Sequence, residues 1–259
     1  PVIIESFASY VQQENHIQDS HLPKLILLLS KFNQKDSIVF WDCMMSFSEC
    51  KKHFESISQY IYYQIENLVD IETLNYEQLF HILDNILTSD NPITFGTVTM
   101  TIRKSFEIHH EAFIQKYATL DFFNFIMATL QTIHLHSVQR ECLLLLNSFT
   151  LIFSNQEVQL PGLIDLLFLS SLIKNQATCY LGLKYFHGIV SHFPSLLADP
   201  NLQNESIPLY LLILEIAEND TVFKSRNESF LIIMNGINAE IFTHDFLKEH
   251  YNRIIEIFF

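Results

Sequence analysis

Apolar residues recur with the period of an α-helix through most of this chain. The run TLDFFNFIMATL, from Thr119, is followed after a polar break by HSVQRECLLLLNSFTLIF, and PGLIDLLFLSSL is followed in the same way by ATCYLGLKYFHGIVSHF. Each pair reads as a shorter helix and then a longer one. In the longer helix of the first pair, Val138, Cys142, Leu145, Leu146, Phe149 and Phe153 fall at i, i+4, i+7, i+8, i+11 and i+15. That is one wide stripe of the kind a helix buries. No segment carries a convincing strand pattern.

The same reading extends to both sides. Residues 2–15 and His21 to Phe32 predict two helices, and a third starts at Ile38 and carries Trp41. A segment from Cys50 to Val69 bears Tyr60, Tyr62 and Tyr63. Asn75 caps a helix through Leu87, and the SDNP at Ser89 to Pro92 stops one helix and starts the next, with Asp90 or Asn91 as cap and Pro92 in the first turn. That next helix runs from Ile93 to about His109. Beyond the central pairs, Pro194 and Pro200 bracket a short piece, Ile207 to Ala217 and Thr221 to Asn235 are helical, and Thr243 caps a last helix ending near Phe259.

The shorter helices are anchored by Leu25, Leu79, Phe122, Leu163 and Leu209, and the longer ones by Ile38, Ile93, Val138, Thr178 and Val222. From Leu79 onward the shorter anchors are 43, 41 and 46 residues apart, inside the range of helical repeat units. One such unit cannot cover its own apolar face, so neighbours must stack to make the core. The step from Leu25 to Leu79 is longer, which predicts an irregular insert at about 50–74. The whole of 1–259 is expected to form one domain.

Composition supports helices. Hydrophobic residues make up 49% of the chain and Phe occurs 23 times, but there are only 5 Gly and 7 Pro. That leaves few turn residues for a many-stranded sheet. No apolar run reaches the roughly 18 residues of a membrane span, and no signal peptide is visible at the N-terminus. Cys43, Cys50, Cys142 and Cys179 form no CxxC pair. Reduced thiols, and with them a cytoplasmic or nuclear setting, are expected. The net charge of -14 disfavours nucleic-acid partners. Residues 131–200 are sparse in charge, as a buried middle unit or a partner surface would be.

Signatures of common chemistry are missing. The chain has no phosphate-binding G-x-x-x-x-G-K-S/T and no G-x-S-x-G. His109-His110-Glu111 and His134-x-His136 lack the spacing that would put two ligands on one helix face, and His187 and His192 are five apart. No catalytic residue, metal site or cofactor is expected. Gly96, Gly182 and Gly188 fall inside helices, where close helix approach explains them.

LPGLIDLLFLSS and SVQRECLLLLNSF, with the start Val138-Gln139-Arg140-Glu141, resemble the second and third helices of armadillo repeats, to which HEAT repeats are related. The resemblance implies an all-α fold, a right-handed α-α superhelix, and a non-enzymatic scaffold whose longer helices line a concave groove for a partner. In the implied register the exposed groove positions are Phe40, Met44 and Ser48; Phe95, Thr99 and Arg103; Arg140, Leu144 and Ser148; and Tyr180, Lys184 and Gly188. The Trp and Asn that importin-alpha relatives use four residues apart are not at these places. Three of the twelve are cations and three are aromatic. The expected partner is a protein or peptide segment, acidic or of mixed charge, with apolar anchors. The alternative is a HEAT-type segment of a larger transport or vesicle-coat component.

Overall fold

A computed structural model describes residues 54–66, 76–158, 165–198 and 200–258. Every regular element among them is an α-helix. The helices expected before residue 54, the Asn75 cap, the Leu163 anchor and the positions Phe40, Met44 and Ser48 lie outside the described residues. The chain divides into two compact units, 1–116 and 117–259.

The first unit contains α1 (Phe54–Glu66), α2 (Tyr76–Leu87), α3 (Pro92–Glu107) and most of α4 (Glu111–Tyr117). Asn91 caps α3 as the SDNP predicts, its side chain accepting from the Ile93 N–H at 3.0 Å with Pro92 in the first turn. The tyrosine-bearing stretch is described over residues 54–66. It is a regular helix, with Phe54, Ile57, Ile61 and Ile65 buried at i, i+3, i+7 and i+11, and it lies along α3 while α2 packs on both. Its apolar stripe is as complete as that of any later helix. The helix α4 was not expected, because it is only seven residues long and two of them, Glu111 and Lys116, are charged. Two buried rings, Phe113 and Tyr117, hold it.

The second unit is built of helix pairs. They are α5 (Leu120–Thr132) with α6 (His136–Asn155), α7 (Leu166–Lys174) with α8 (Cys179–His192), and α10 (Pro200–Asn219) with α11 (Phe223–Asn238). A short α9 (Pro194–Leu197) precedes α10, and α12 (His244–Phe258) packs on α10. The second helices of the three pairs form a layer in the order α6, α8, α11, although in the last pair α10 is longer than α11. The starts of α3, α6, α8 and α11, at 92, 136, 179 and 223, are 44, 43 and 44 residues apart. Thr119 caps α5 and Thr243 caps α12, each hydroxyl accepting at 3.2 Å from the backbone N–H three residues on. The Val138–Phe153 stripe is buried throughout, and Phe123 meets Phe149 edge-on at 5.6 Å. The helix α10 begins at Pro200, not near Ile207, and runs through Pro208. Leu209, Tyr210, Ile213 and Leu214 behind the proline are buried, and their packing outweighs the one backbone hydrogen bond a proline removes.

Three helices end on a residue other than glycine in the left-handed region. His109, Glu157 and Glu240 have φ of 55°, 56° and 56°. Each cap closes with two crossed bonds: His110 N to Ser105 O at 2.9 Å and His109 N to Phe106 O at 3.0 Å end α3, and the same pattern follows α6 and α11. A Cβ there costs roughly 1–2 kcal/mol, partly offset by the greater chain entropy that glycine loses. His109→Gly, Glu157→Gly and Glu240→Gly should each raise stability by about 0.5–1 kcal/mol in urea titration. Three unchanged or lowered midpoints would refute this account of the caps.

Arg253 on α12 grips Glu218 on α10 with two parallel bonds, Nε to Oε1 at 2.8 Å and Nη2 to Oε2 at 2.9 Å. The hydrogen bond from Arg253 holds the Glu218 carboxyl below its usual value. A depressed carboxyl stabilises the fold above its unfolded value, and that contribution is lost as pH falls through the folded one. Both partners are partly exposed, so Arg253→Met should cost only about 0.5–1 kcal/mol at neutral pH. The gap between mutant and wild type should close below the ordinary glutamate range; a gap independent of pH would disprove the assignment.

Candidate partner-binding face

The helix α8 is enclosed on three sides, and each side can be read from one residue. A Cβ on Gly182 would stand 3.0 Å from Ile173 Cγ1 of α7, and one on Gly188 would stand 2.6 Å from Thr150 Oγ1 of α6. The third side faces α11 through His187 and Ser191. At about 100° per residue, Tyr180 and Lys184 lie opposite Gly182, and both are half-exposed. The helix α6 opens on the same side of the layer, away from its α5 partner. There Arg140 is exposed, Leu144, Asn147 and Ser148 are half-buried, and Leu151 is 48% exposed.

The second unit thus gathers Arg140, Leu144, Ser148, Tyr180 and Lys184 on one face. Gly188 sits at its edge and serves the α6–α8 contact. The first unit departs from expectation. Phe95 and Thr99 are buried, and Arg103 is nearly so, paired with Glu107. The open stripe of α3 is Ile93, Thr97, Met100 and Lys104, of which Met100 and Lys104 each follow an expected position by one residue, while Gly96 after Phe95 is buried. The cause is a register slip. Ile93 is the second residue of α3, whereas Val138, with which it was aligned, is the third of α6.

Sequence reasoning missed a polar network between α8 and α11. His187 Nδ1 lies 2.6 Å from Glu228 Oε1, and Glu228 is only 8% exposed. The Asn235 amide donates to His187 Nε2 at 2.9 Å and to Ser191 Oγ at 2.9 Å. With both amide hydrogens spent in this way, Nε2 is the bare nitrogen and Nδ1–H donates to Glu228. The signal was present: Tyr180, His187 and Ser191 recur at i, i+7 and i+11 and meet Lys224, Glu228 and Asn235 on α11. Lys224 Nζ stands 5.9 Å from the Tyr180 ring centre.

This network is not a nucleophile with its base. Ser191 bonds to the amide and not to the imidazole, so nothing in this arrangement would take its proton. Cys142 and Cys179 are free. Burial pushes the Cys142 thiol up to about 12 and raises that of Cys179, so neither offers a thiolate near neutral pH. Among the described residues, no three His, Cys, Asp or Glu side chains gather as a metal site would need, and no helix is long and apolar enough to cross a membrane. Beside Tyr180 a hollow of about 430 Å3 opens between α7, α8, α10 and α11, with Ile173, Leu212 and Ile216 among its walls. Of its charged groups, Lys174 and Glu215 are exposed and Asp220 is half-buried, and its apolar walls can accept an apolar side chain.

Removing the imidazole strands the Glu228 carboxylate, at a cost of about 2 kcal/mol. His187→Ala should lose about that much, and His187→Ala with Glu228→Ala should lose less than the sum of the two single changes. Additive losses in a double-mutant cycle would show that the two side chains do not couple.

Comparison with protein-family models, with curated proteins and with solved structures found no match.

Proposed function

We propose that this protein is a non-enzymatic interaction scaffold, an armadillo-like right-handed superhelix that binds a segment of another protein along the open face of its longer helices. The observation that carries the reading is the character of that face. Arg140, Lys184 and Lys224 make no ion pair among the described residues. They stand beside Tyr180, Leu144 and Leu151 in a chain of net charge -14. Free cations with apolar neighbours fit an acidic or mixed-charge segment with apolar anchors, and the overall charge opposes nucleic acid. A cytoplasmic or nuclear protein fits the protonated, unpaired thiols.

The HEAT-type reading, a segment of a larger transport or coat component, is favoured by a different observation. Phe223, Met234, Tyr251 and Ile255 on α11 and α12 are exposed, as they would be where further protein packs.

Reversing charge at Arg140, Lys184 and Lys224 together tests the first reading. Arg103 is unsuited, because it is buried and paired. The triple variant should melt with wild-type protein, since all three side chains lie off the core. Partners recovered from the native source and identified by mass spectrometry should bind it at least about tenfold more weakly, a difference of about 1.4 kcal/mol. Unaltered affinity at an unchanged melting temperature would remove the face from the function.

A further inference from the structure

A second hollow lies on the far side of α11. It has a volume of about 320 Å3 and is lined by Ala217, Phe223, Arg226, Asn227, Phe230 and Ile257. Ligand pockets span roughly 300–1,000 Å3, so this one has room for a single large side chain and not for a nucleotide cofactor. Two apolar stripes meet there. On α11, Phe223, Phe230 and Met234 fall at i, i+7 and i+11; on α12, Tyr251, Ile255 and Phe258 fall at i, i+4 and i+7. The stripes touch where the Phe230 and Phe258 rings pack at 4.6 Å. Phe223 stands 78% exposed at the lip.

The charge in this hollow is of one sign. Arg226 is the only charged residue that lines it, no carboxylate does, and Arg226 has no ion pair among the described residues. Asp220 Oδ1 accepts the Val222 N–H at 2.8 Å just before α11, while the first-turn amides have no side-chain cap and lie near Arg226. Guanidinium is the side chain best shaped to hold a carboxylate with two bonds.

We propose that this hollow binds a peptide segment of a partner protein in which a large apolar side chain stands next to an aspartate or glutamate. The apolar side chain enters between Phe223 and Phe230, the carboxylate pairs with Arg226, and the Asn227 amide bonds to the peptide backbone. A second copy of this chain is a poor occupant. Two chains of net charge -14 repel, and this surface placed against itself offers Arg226 no carboxylate. The proposal deepens the reading of the protein as a binding module but uses a different surface from the α6–α8 face, so each can fail alone.

The test is fluorescence anisotropy of the full chain with a panel of fluorescein-labelled peptides. Each has Phe, Leu or Trp next to Asp in a serine background, and each has a control with Asn for Asp. At least one Asp peptide should bind, its Asn control about tenfold more weakly. Arg226→Glu and Phe223→Ser should each weaken binding more than about tenfold with an unchanged melting temperature, and Lys184→Glu should leave it unaltered. No binding by any peptide, or equal binding by wild type and Arg226→Glu, overturns the proposal. So does a loss in Lys184→Glu as large as in Arg226→Glu, which would put the peptide on the other face. Sedimentation equilibrium showing a dimer that Phe223→Ser dissociates would assign the surface to a second copy and overturn it as well.

Discussion

The second unit depends on how closely α8 is enclosed. Its backbone approaches α7 at Gly182 and α6 at Gly188, near enough that a methyl group would press on Ile173 or Thr150. On its third side it meets α11 through a network that buries a carboxylate. A helix held this way has one open stripe, and its neighbours inherit the constraint. Because α6 and α11 flank α8, their free residues come to the same side of one layer. The position of the candidate face is therefore a result of packing and needs no separate device.

The chain reaches that packing with few glycines, and it places them unusually. None of the four glycines among the described residues, Gly96, Gly182, Gly188 and Gly236, has positive φ. Gly182, Gly188 and Gly236 are all where a side chain would collide, while the left-handed caps fall to His109, Glu157 and Glu240. Close approach strongly favours glycine, because a Cβ there would press on side chains of Ile173, Thr150 or Phe242 that would have to shift. A left-handed cap admits another residue at a cost of about 1–2 kcal/mol. With glycine scarce, the positions that tolerate other residues carry them. This also explains why glycine-based stop signals said little about where these helices end.

Much of the fold was legible because its signals are local. Asn91 with Pro92, Thr119 and Thr243 mark helix starts by hydrogen bonds within three residues, and the Val138–Phe153 stripe marks a buried face by its period. What failed depends on distant atoms. The start of α10 was placed near Ile207, but the helix begins at Pro200 and continues through Pro208 into the buried residues behind it. The helix α4 is visible only through the burial of Phe113 and Tyr117. On α3, Thr99 and Arg103 are buried one residue before the more open Met100 and Lys104; anchors were aligned by residue type, and one residue is about 100° of helix. His187 was weighed against His192 on its own helix, but its partners are 41 and 48 residues away.

The register of α11 separates the two candidate surfaces. Lys224 and Arg226 are two residues apart, so they point about 200° away from each other. The Lys224 ammonium reaches toward Tyr180 on α8, and Arg226 lines the hollow shared with α12. Between them the helix is pinned from both sides, by Glu228 and Asn235 to α8 and by Phe230 to Phe258 of α12. A ligand on either side meets a helix whose other side is already fixed. It cannot draw α11 toward itself without breaking the buried His187–Glu228 contact or opening the aromatic pair. Both surfaces are thus preformed, and the ordering cost of binding falls mainly on the incoming segment.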